Sequence, residues 1–126
     1  MKSVISALII FALIITMAGV SSVFVNNIGD DMLQSLYKNE KYIANNDWEN
    51  AENETNYVSD VWQKNRVAMS VIFNHSAIDN IDATLEKMKK TVKFQRKESF
   101  LYEKSFLSCL IKALKEQQKV SIGNIF

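Results

Sequence analysis

The chain has 126 residues, a length that suits one domain better than two. Hydrophobic residues make up 48% and charged residues 23%, a composition that excludes a disordered or collagen-like chain. A net charge of +1 gives no reason to expect nucleic-acid binding, and a single cysteine excludes an internal disulfide framework and a cysteine-rich zinc site.

The first predicted element is an uncharged apolar segment. No residue from Ser3 to Val25 carries a charge, and the 22 residues from Val4 onward reach about 33 Å as a helix. That length crosses a bilayer core of about 30 Å, so we predict a transmembrane anchor over residues 1–27. A cleaved secretory signal is the alternative, although the apolar run is longer than a signal core of roughly 7–15 residues.

The charges that flank this segment predict its orientation. Lys2 precedes it, whereas Asp30 and Asp31 are the first charged residues after it. Positive residues stay on the cytoplasmic side of a membrane, so we expect a cytoplasmic N-terminus and an extracytoplasmic domain over residues 28–126. The expected location is therefore the cell membrane, in a single pass, with the lipid bilayer contacting the N-terminal helix.

The remaining residues predict an all-α domain, because no proline interrupts them and apolar positions recur at spacings of three and four. We expect a three- or four-helix antiparallel bundle after the transmembrane helix. One apolar face continues through Ile28 to Ile43, which predicts that the anchor extends as a stalk helix to about Asn45, continuous with the first bundle helix. A kink or break is predicted around Asn26, Asn27 and Gly29.

The second helix is predicted from Trp48 to about Phe73, with Asn46 or Asp47 as its N-cap. Two heptad series form its apolar stripe: Trp48, Thr55, Trp62 and Met69, and Ala51, Val58, Asn65 and Ile72. Such a narrow stripe is typical of a helix packed nearly parallel to its neighbours. Asn65 is the polar exception, predicted either to fix the register or to lie at the edge of the stripe.

The third helix is predicted to follow a turn at residues 74–76, with Ser76 and Asp79 as a capping box. A loop is predicted at residues 95–98, and the fourth helix from Ser99 to about Lys119. The fourth helix has a wide apolar face: Phe100, Phe106, Leu107, Cys109, Leu110, Ile111, Ala113 and Leu114. A face this wide needs two neighbouring helices or a second chain to cover it. Residues 122–126 are predicted to be an apolar, non-helical tail that folds back onto the bundle.

Several short motifs, taken in order along the chain, resemble a known bacterial family. They are Asn46-Asp47-Trp48-Glu49-Asn50-Ala51, Val61-Trp62, His75 with Ile78-Asp79-Asn80-Ile81, and Ser121-Ile122-Gly123-Asn124-Ile125-Phe126. Over essentially its whole length the chain resembles the family called domain of unknown function 4363, departing from its pattern near Met69 and Arg96-Lys97. The resemblance implies a small, N-terminally anchored helical protein of a spore-forming Gram-positive bacterium, and it implies no activity.

No residue carries a catalytic, cofactor-binding or metal-binding prediction. His75 lies near Asp79 and Asp82, but a metal site needs three or four converging ligands, so a structural role at a helix end is favoured. Trp48 and Trp62 are predicted to be core residues and not an aromatic cage. Cys109 is predicted to be a small buried hydrophobe, with an intermolecular disulfide as the alternative. We therefore expect no enzyme activity, no cofactor and no nucleic-acid partner.

Basic residues concentrate late in the chain: Lys87, Lys89, Lys90, Lys93, Arg96 and Lys97. The simpler interpretation is a solvated helix face that attracts a more acidic neighbour, with Glu86 and Lys90 as an i,i+4 pair. The alternative is a basic patch for anionic lipid headgroups or an acidic wall polymer.

These predictions together favour a non-catalytic envelope accessory or protein-interaction module. We expect contact with a protein partner, or self-association, through the apolar face of the fourth helix and the apolar tail. Two alternatives stay open: a ligand- or ion-sensing bundle that uses His75 and the nearby acidic residues, and a secreted bundle released by signal cleavage.

Overall fold

The structure is a computed structural model that describes residues 1–125, except for the side chains at positions 121, 122, 124 and 125. Its helices are α1 (Lys2–Ala44), α2 (Trp48–Ile72), α3 (His75–Lys93) and α4 (Lys97–Ile125). Short turns join them, so consecutive helices run antiparallel. Helices α1 and α3 each contact both α2 and α4, which closes a four-helix ring and confirms the predicted all-α bundle.

Helix α1 is uninterrupted, so the predicted break near Asn26 is absent. Its second half runs on to Ala44, close to the predicted Asn45, and is the first helix of the bundle, as predicted: Val25, Met32 and Leu36 are each 1% exposed. Gly29 has a packing role here. A Cβ atom at Gly29 would lie 3.1 Å from Cδ of Lys115, so the missing side chain allows α4 to pack closely against α1.

Helix α2 begins and packs as its sequence predicts. The Asp47 carboxylate caps it by accepting a hydrogen bond from the backbone N–H of Asn50, at 3.3 Å. Both heptad series face the core. Asn65 is half-buried and donates to the carbonyl of Val61 at 2.8 Å, within its own helix. It therefore lies at the edge of the stripe and makes no interhelical register contact among its hydrogen bonds.

Two helix starts differ from the predictions. The side chain of Asn74, and not that of Ser76, caps α3, by accepting a hydrogen bond from the N–H of Ala77 at 2.9 Å. Helix α4 begins at Lys97, two residues earlier than predicted, because Gln95 adopts a left-handed conformation (φ 52°) that completes the turn by itself.

Helix α4 also ends later than predicted. Residues 122–125 are helical and not an irregular tail, because α4 stays packed against the bundle: Leu114 is 5% and Gln118 is 7% exposed. The predicted folding back of the tail at Phe126 lies outside the described residues.

The wide apolar face of α4 is only partly covered. Phe100, Leu107 and Ile111 are buried, whereas Phe106 is 45% exposed. Cys109 is exposed too, so the prediction of a buried thiol is wrong. The physical reason is that α4 has two neighbours, α1 and α3, and these cover the side of the helix opposite Cys109.

Candidate functional site

The bundle has two distinct ends. The end that we call the tip contains the α1–α2 turn and the α3–α4 turn, at residues 45–47 and 94–96. The end that we call the base contains the α2–α3 turn and the C-terminal end of α4. Two ion pairs set the register of α4 on α1: Lys104 with Glu40 at 2.7 Å towards the tip, and Lys115 with Asp30 towards the base.

Residues 3–20 of α1 project beyond the base and are almost entirely exposed. Leu8, Leu13 and Val20 are each about 60% exposed, although this segment has no charged side chain. Eighteen consecutive residues of α1 have a mean hydropathy of 2.6, and 6% of these residues are buried. Thr16 donates its hydroxyl hydrogen to the carbonyl of Ala12 at 2.9 Å, which satisfies its polar group within the helix. By length and composition the segment could cross a membrane.

The basic residues, interpreted from the sequence as a solvated helix face with a basic patch as the alternative, lie towards the tip, at the end of α3 and the start of α4. Lys89 pairs with Glu86 at 3.5 Å, in place of the predicted pair with Lys90. The tip is 20 residues along α1 from Val25, which corresponds to about 30 Å. An α1 that crossed a bilayer upright would hold the tip about 30 Å from the membrane surface, a geometry that gives the lipid-headgroup alternative no support.

The acidic residues near His75 already have partners. Asp82 accepts hydrogen bonds from Trp62 Nε1 at 2.7 Å and from Arg66 Nε at 2.8 Å. Asp79 lies 3.9 Å from the same guanidinium group. His75 is exposed at the first position of α3 and does not cap that helix. Within the described residues no three His, Cys, Asp or Glu side chains converge in a way that could hold a metal ion.

The two tryptophans belong to the core, as predicted. Trp62 is 1% exposed, and its indole N–H joins α2 to α3 through Asp82. Trp48 is half-buried and packs against the core cluster. The sequence does not predict that the buried indole of Trp62 pairs with a carboxylate 20 residues away, because no local feature selects that partner.

A polar clasp joins α1 to α2. The Tyr57 hydroxyl donates to the carboxylate of Asp31, with 3.0 Å from the phenolic oxygen to each carboxylate oxygen. This hydrogen bond, helped by partial desolvation and by the negative charge of Asp31, raises the pKa of Tyr57 above its ordinary value of 10.0. Ser35 donates to Glu54 at 2.5 Å in the same groove. The clasp holds α1 and α2 in register. None of its four side chains is an activated nucleophile.

A buried amide lies one turn further towards the tip. Asn39 is fully buried, and its Nδ2 donates to the Thr55 hydroxyl at 2.8 Å. Among the residues that the structure describes, its Oδ1 has no hydrogen-bond partner. A buried hydrogen-bond acceptor without a partner lowers the free energy of unfolding. Asn39 therefore makes its interhelical contact at a cost in stability.

We expect Asn39→Leu to leave the free energy of unfolding unchanged or to raise it by up to about 1 kcal/mol, because it removes the unpaired acceptor and keeps the volume. Thr55 keeps its bond to the Ala51 carbonyl at 2.7 Å. The measurement is denaturant unfolding in detergent. Thr55→Val is the matched control. It should lower the free energy of unfolding by about 1–3 kcal/mol, because it leaves both polar atoms of the Asn39 side chain without a partner. A comparable loss in Asn39→Leu would contradict the argument.

An exposed apolar stripe runs along the outer side of α4. It consists of Tyr102, Phe106, Cys109 and Ala113, at spacings of four, three and four residues, and we call it the outer stripe. Tyr102 is 71% exposed. Single exposed apolar residues are ordinary, but four on one continuous helix face form a surface suited to a protein contact.

The family model described as "Domain of unknown function (DUF4363)" matches residues 20–125, which contain the whole bundle. The chain belongs to this family. The motifs that carry the sequence resemblance take clear structural positions: Asp47 caps α2, Trp62 fills the core, and Asp79 lies beside Arg66. Neither the comparison with curated proteins nor that with solved structures found a match.

Proposed function

We propose that α1 anchors this protein in the cell membrane, with its N-terminus in the cytoplasm, and that the bundle is a non-catalytic interaction module on the outer side. The observation that carries the proposal is the projecting half of α1. It is apolar around its whole circumference, and its large apolar side chains are mostly exposed. Lys2 before it and Asp30 after it support the orientation.

The outer stripe supports the interaction role. The bundle buries Phe100, Leu107 and Ile111 on one side of α4 and leaves Phe106 and Cys109 exposed on the other. A partner protein, or a second copy of the chain, would cover this stripe. The ion-sensing alternative has weaker support, because Arg66 already neutralises Asp82.

Labelling of a single exposed cysteine tests the topology, at a position off the outer stripe that a partner would cover. In a Cys109→Ser background, a cysteine placed at Glu86, an exposed position on α3, should react with a membrane-impermeant maleimide added to intact cells, and Cys109→Ser alone should give no signal. Labelling that appears only after lysis would place the bundle in the cytoplasm. The mass of the purified protein shows in addition whether the N-terminus is retained, which distinguishes an anchored protein from a secreted one.

A photoreactive amino acid at Phe106 tests the interaction role. We expect a discrete crosslinked product in native membranes, either a dimer or a complex with one partner. The same group at Glu86, an exposed position on α3, is the control and should give none. Equal crosslinking from both positions would mean that the outer stripe is not a specific surface.

A further inference from the structure

The base of the bundle is the part of the surface whose composition differs most from the rest. No Asp, Glu, Lys or Arg lies between Arg66 and Asp79, and none follows Lys119 in α4. The first uncharged stretch spans the α2–α3 turn at the base, and the second lies at the end of α4, also at the base. The uncharged stretch of α1, from Ser3 to Gly29, passes through the same level. Three separate parts of the chain therefore lose their charged side chains at one end of the bundle.

On α2 the change occurs along a single face. Asp60, Lys64, Val67 and Val71 follow one another at spacings of four, three and four residues and so point in the same direction. The first two are charged, and the last two are apolar although they are 75% and 84% exposed. The outward face of α2 is therefore polar near the middle of the bundle and apolar at the base.

Helix α4 shows the same change. Lys112, Glu116 and Val120 follow at spacings of four residues, and all three are exposed. Val120 is 59% exposed. Two helices that do not contact each other thus change from charged to apolar on their outward faces at the same height.

The register of the helices gives that height. The ion pair of Asp30 with Lys115 places Val120 level with about residue 25 of α1, because the two helices run antiparallel with equal rise. The hydrogen bond between Asn39 and Thr55 joins the antiparallel helices α1 and α2 and places Val71 level with about residue 23 of α1.

The length of α1 below that height equals the thickness of a bilayer core. The 20 residues from Ser3 to Ser22 span about 30 Å, the thickness of the hydrocarbon core. With this segment in the membrane, no length of α1 remains to hold the bundle above the surface.

A groove of about 480 Å³ begins at this level, lined by Ser22 and Asn26 of α1 and by Lys115, Glu116 and Lys119 of α4. Its polar lining suits the headgroup layer.

We propose that the base is a lipid-contacting surface: Val67, Val71 and Val120 insert into the outer interfacial layer of the bilayer that α1 crosses. This inference rests on the proposed anchoring of α1. The bundle is seated on the membrane, so its tilt is fixed by the ends of α2 and α4 together with α1.

Site-directed spin labelling of the full-length protein in phospholipid nanodiscs tests this seating. Single cysteines are introduced at Val20, Val71 and Tyr102 in a Cys109→Ser background, and all three positions are more than half exposed, so the labels need not disturb packing. We expect the ratio of oxygen to nickel-chelate accessibility to be highest at position 20. At position 71 it should be several-fold higher than at position 102, which serves as the aqueous control.

Each outcome has a separate meaning. Equal ratios at positions 71 and 102, with a lipid-like value at position 20, would overturn the seating while leaving the anchor in place. A water-like value at position 20 would overturn the anchor and therefore the proposed function itself. Dipolar broadening at position 71 without preferential oxygen access would assign the base to a second copy of the chain and would also overturn the proposal.

Discussion

Replacing Leu13 with arginine is expected to remove the protein from the membrane fraction. Leu13 lies at the middle of the uncharged segment and is 58% exposed, so it contributes nothing to bundle packing. An arginine at the centre of a spanning helix costs about 2.5–3.5 kcal/mol on insertion scales, which lowers the inserted fraction by roughly 100-fold in the equilibrium ratio. The measurement is the share of protein that sediments with membranes after an alkaline wash.

Tyr37→Arg is the matched control for this substitution. Tyr37 lies on the same helix and is 61% exposed, but it belongs to the half of α1 that packs in the bundle. The same charge there should leave membrane association unchanged. If both variants stayed in the membrane fraction, the projecting half of α1 would not be the anchor. If both were lost, the effect would come from charge in general and not from insertion.

Trp62→Ala is expected to lower the free energy of unfolding by about 3–5 kcal/mol, the usual cost of removing a buried aromatic side chain. Trp62 is 1% exposed and borders an internal void, so the lost volume adds to space that is already unfilled. The substitution also removes the indole N–H that donates to Asp82. For a domain of this size the melting temperature should fall by about 12 °C or more, measured by circular dichroism in detergent.

Two further variants separate volume from hydrogen bonding at this position. Trp62→Phe keeps most of the apolar volume and loses the N–H, and Asp82 retains Arg66, so a loss of about 1–2 kcal/mol is expected. Val71→Ala, at an exposed position on the same helix, should change stability by less than about 0.5 kcal/mol. A loss below about 1 kcal/mol in Trp62→Ala would show that the α2–α3 interface is not part of the cooperative core.

The predicted helices agree with the structure where local signals are strong. Asp47 was recognisable as a cap because a short acidic side chain precedes an amphipathic run, and the heptad series of α2 identified its buried face. The α3 cap was misplaced because Asn74 and Ser76 are both competent caps, and the choice depends on where α2 ends. The end of α4 lies beyond the predicted Lys119 because the helix is still packed in the bundle at that point: Gln118 is 7% exposed.

The surface assignments were less predictable. Cys109 lies among apolar neighbours in the sequence, which indicates burial, yet the side of α4 on which it lies has no covering helix. The sequence favours a solvated helix face for the basic residues, with a patch as the alternative, but the end of the bundle at which they lie depends on the order and direction of the helices. Asp82 was considered beside His75, although its hydrogen-bond partners are Trp62 and Arg66 on the preceding helix.

The sequence by itself determined the helical class, the family, the uncharged apolar segment and most helix boundaries, because composition, periodicity and capping act over a few neighbouring residues. Only the tertiary structure decided that Arg66 holds Asp82 and that one side of α4 is uncovered. It also brought Val67, Val71 and Val120 to one end. Those features depend on which helices are neighbours and in what register, and that information is not local.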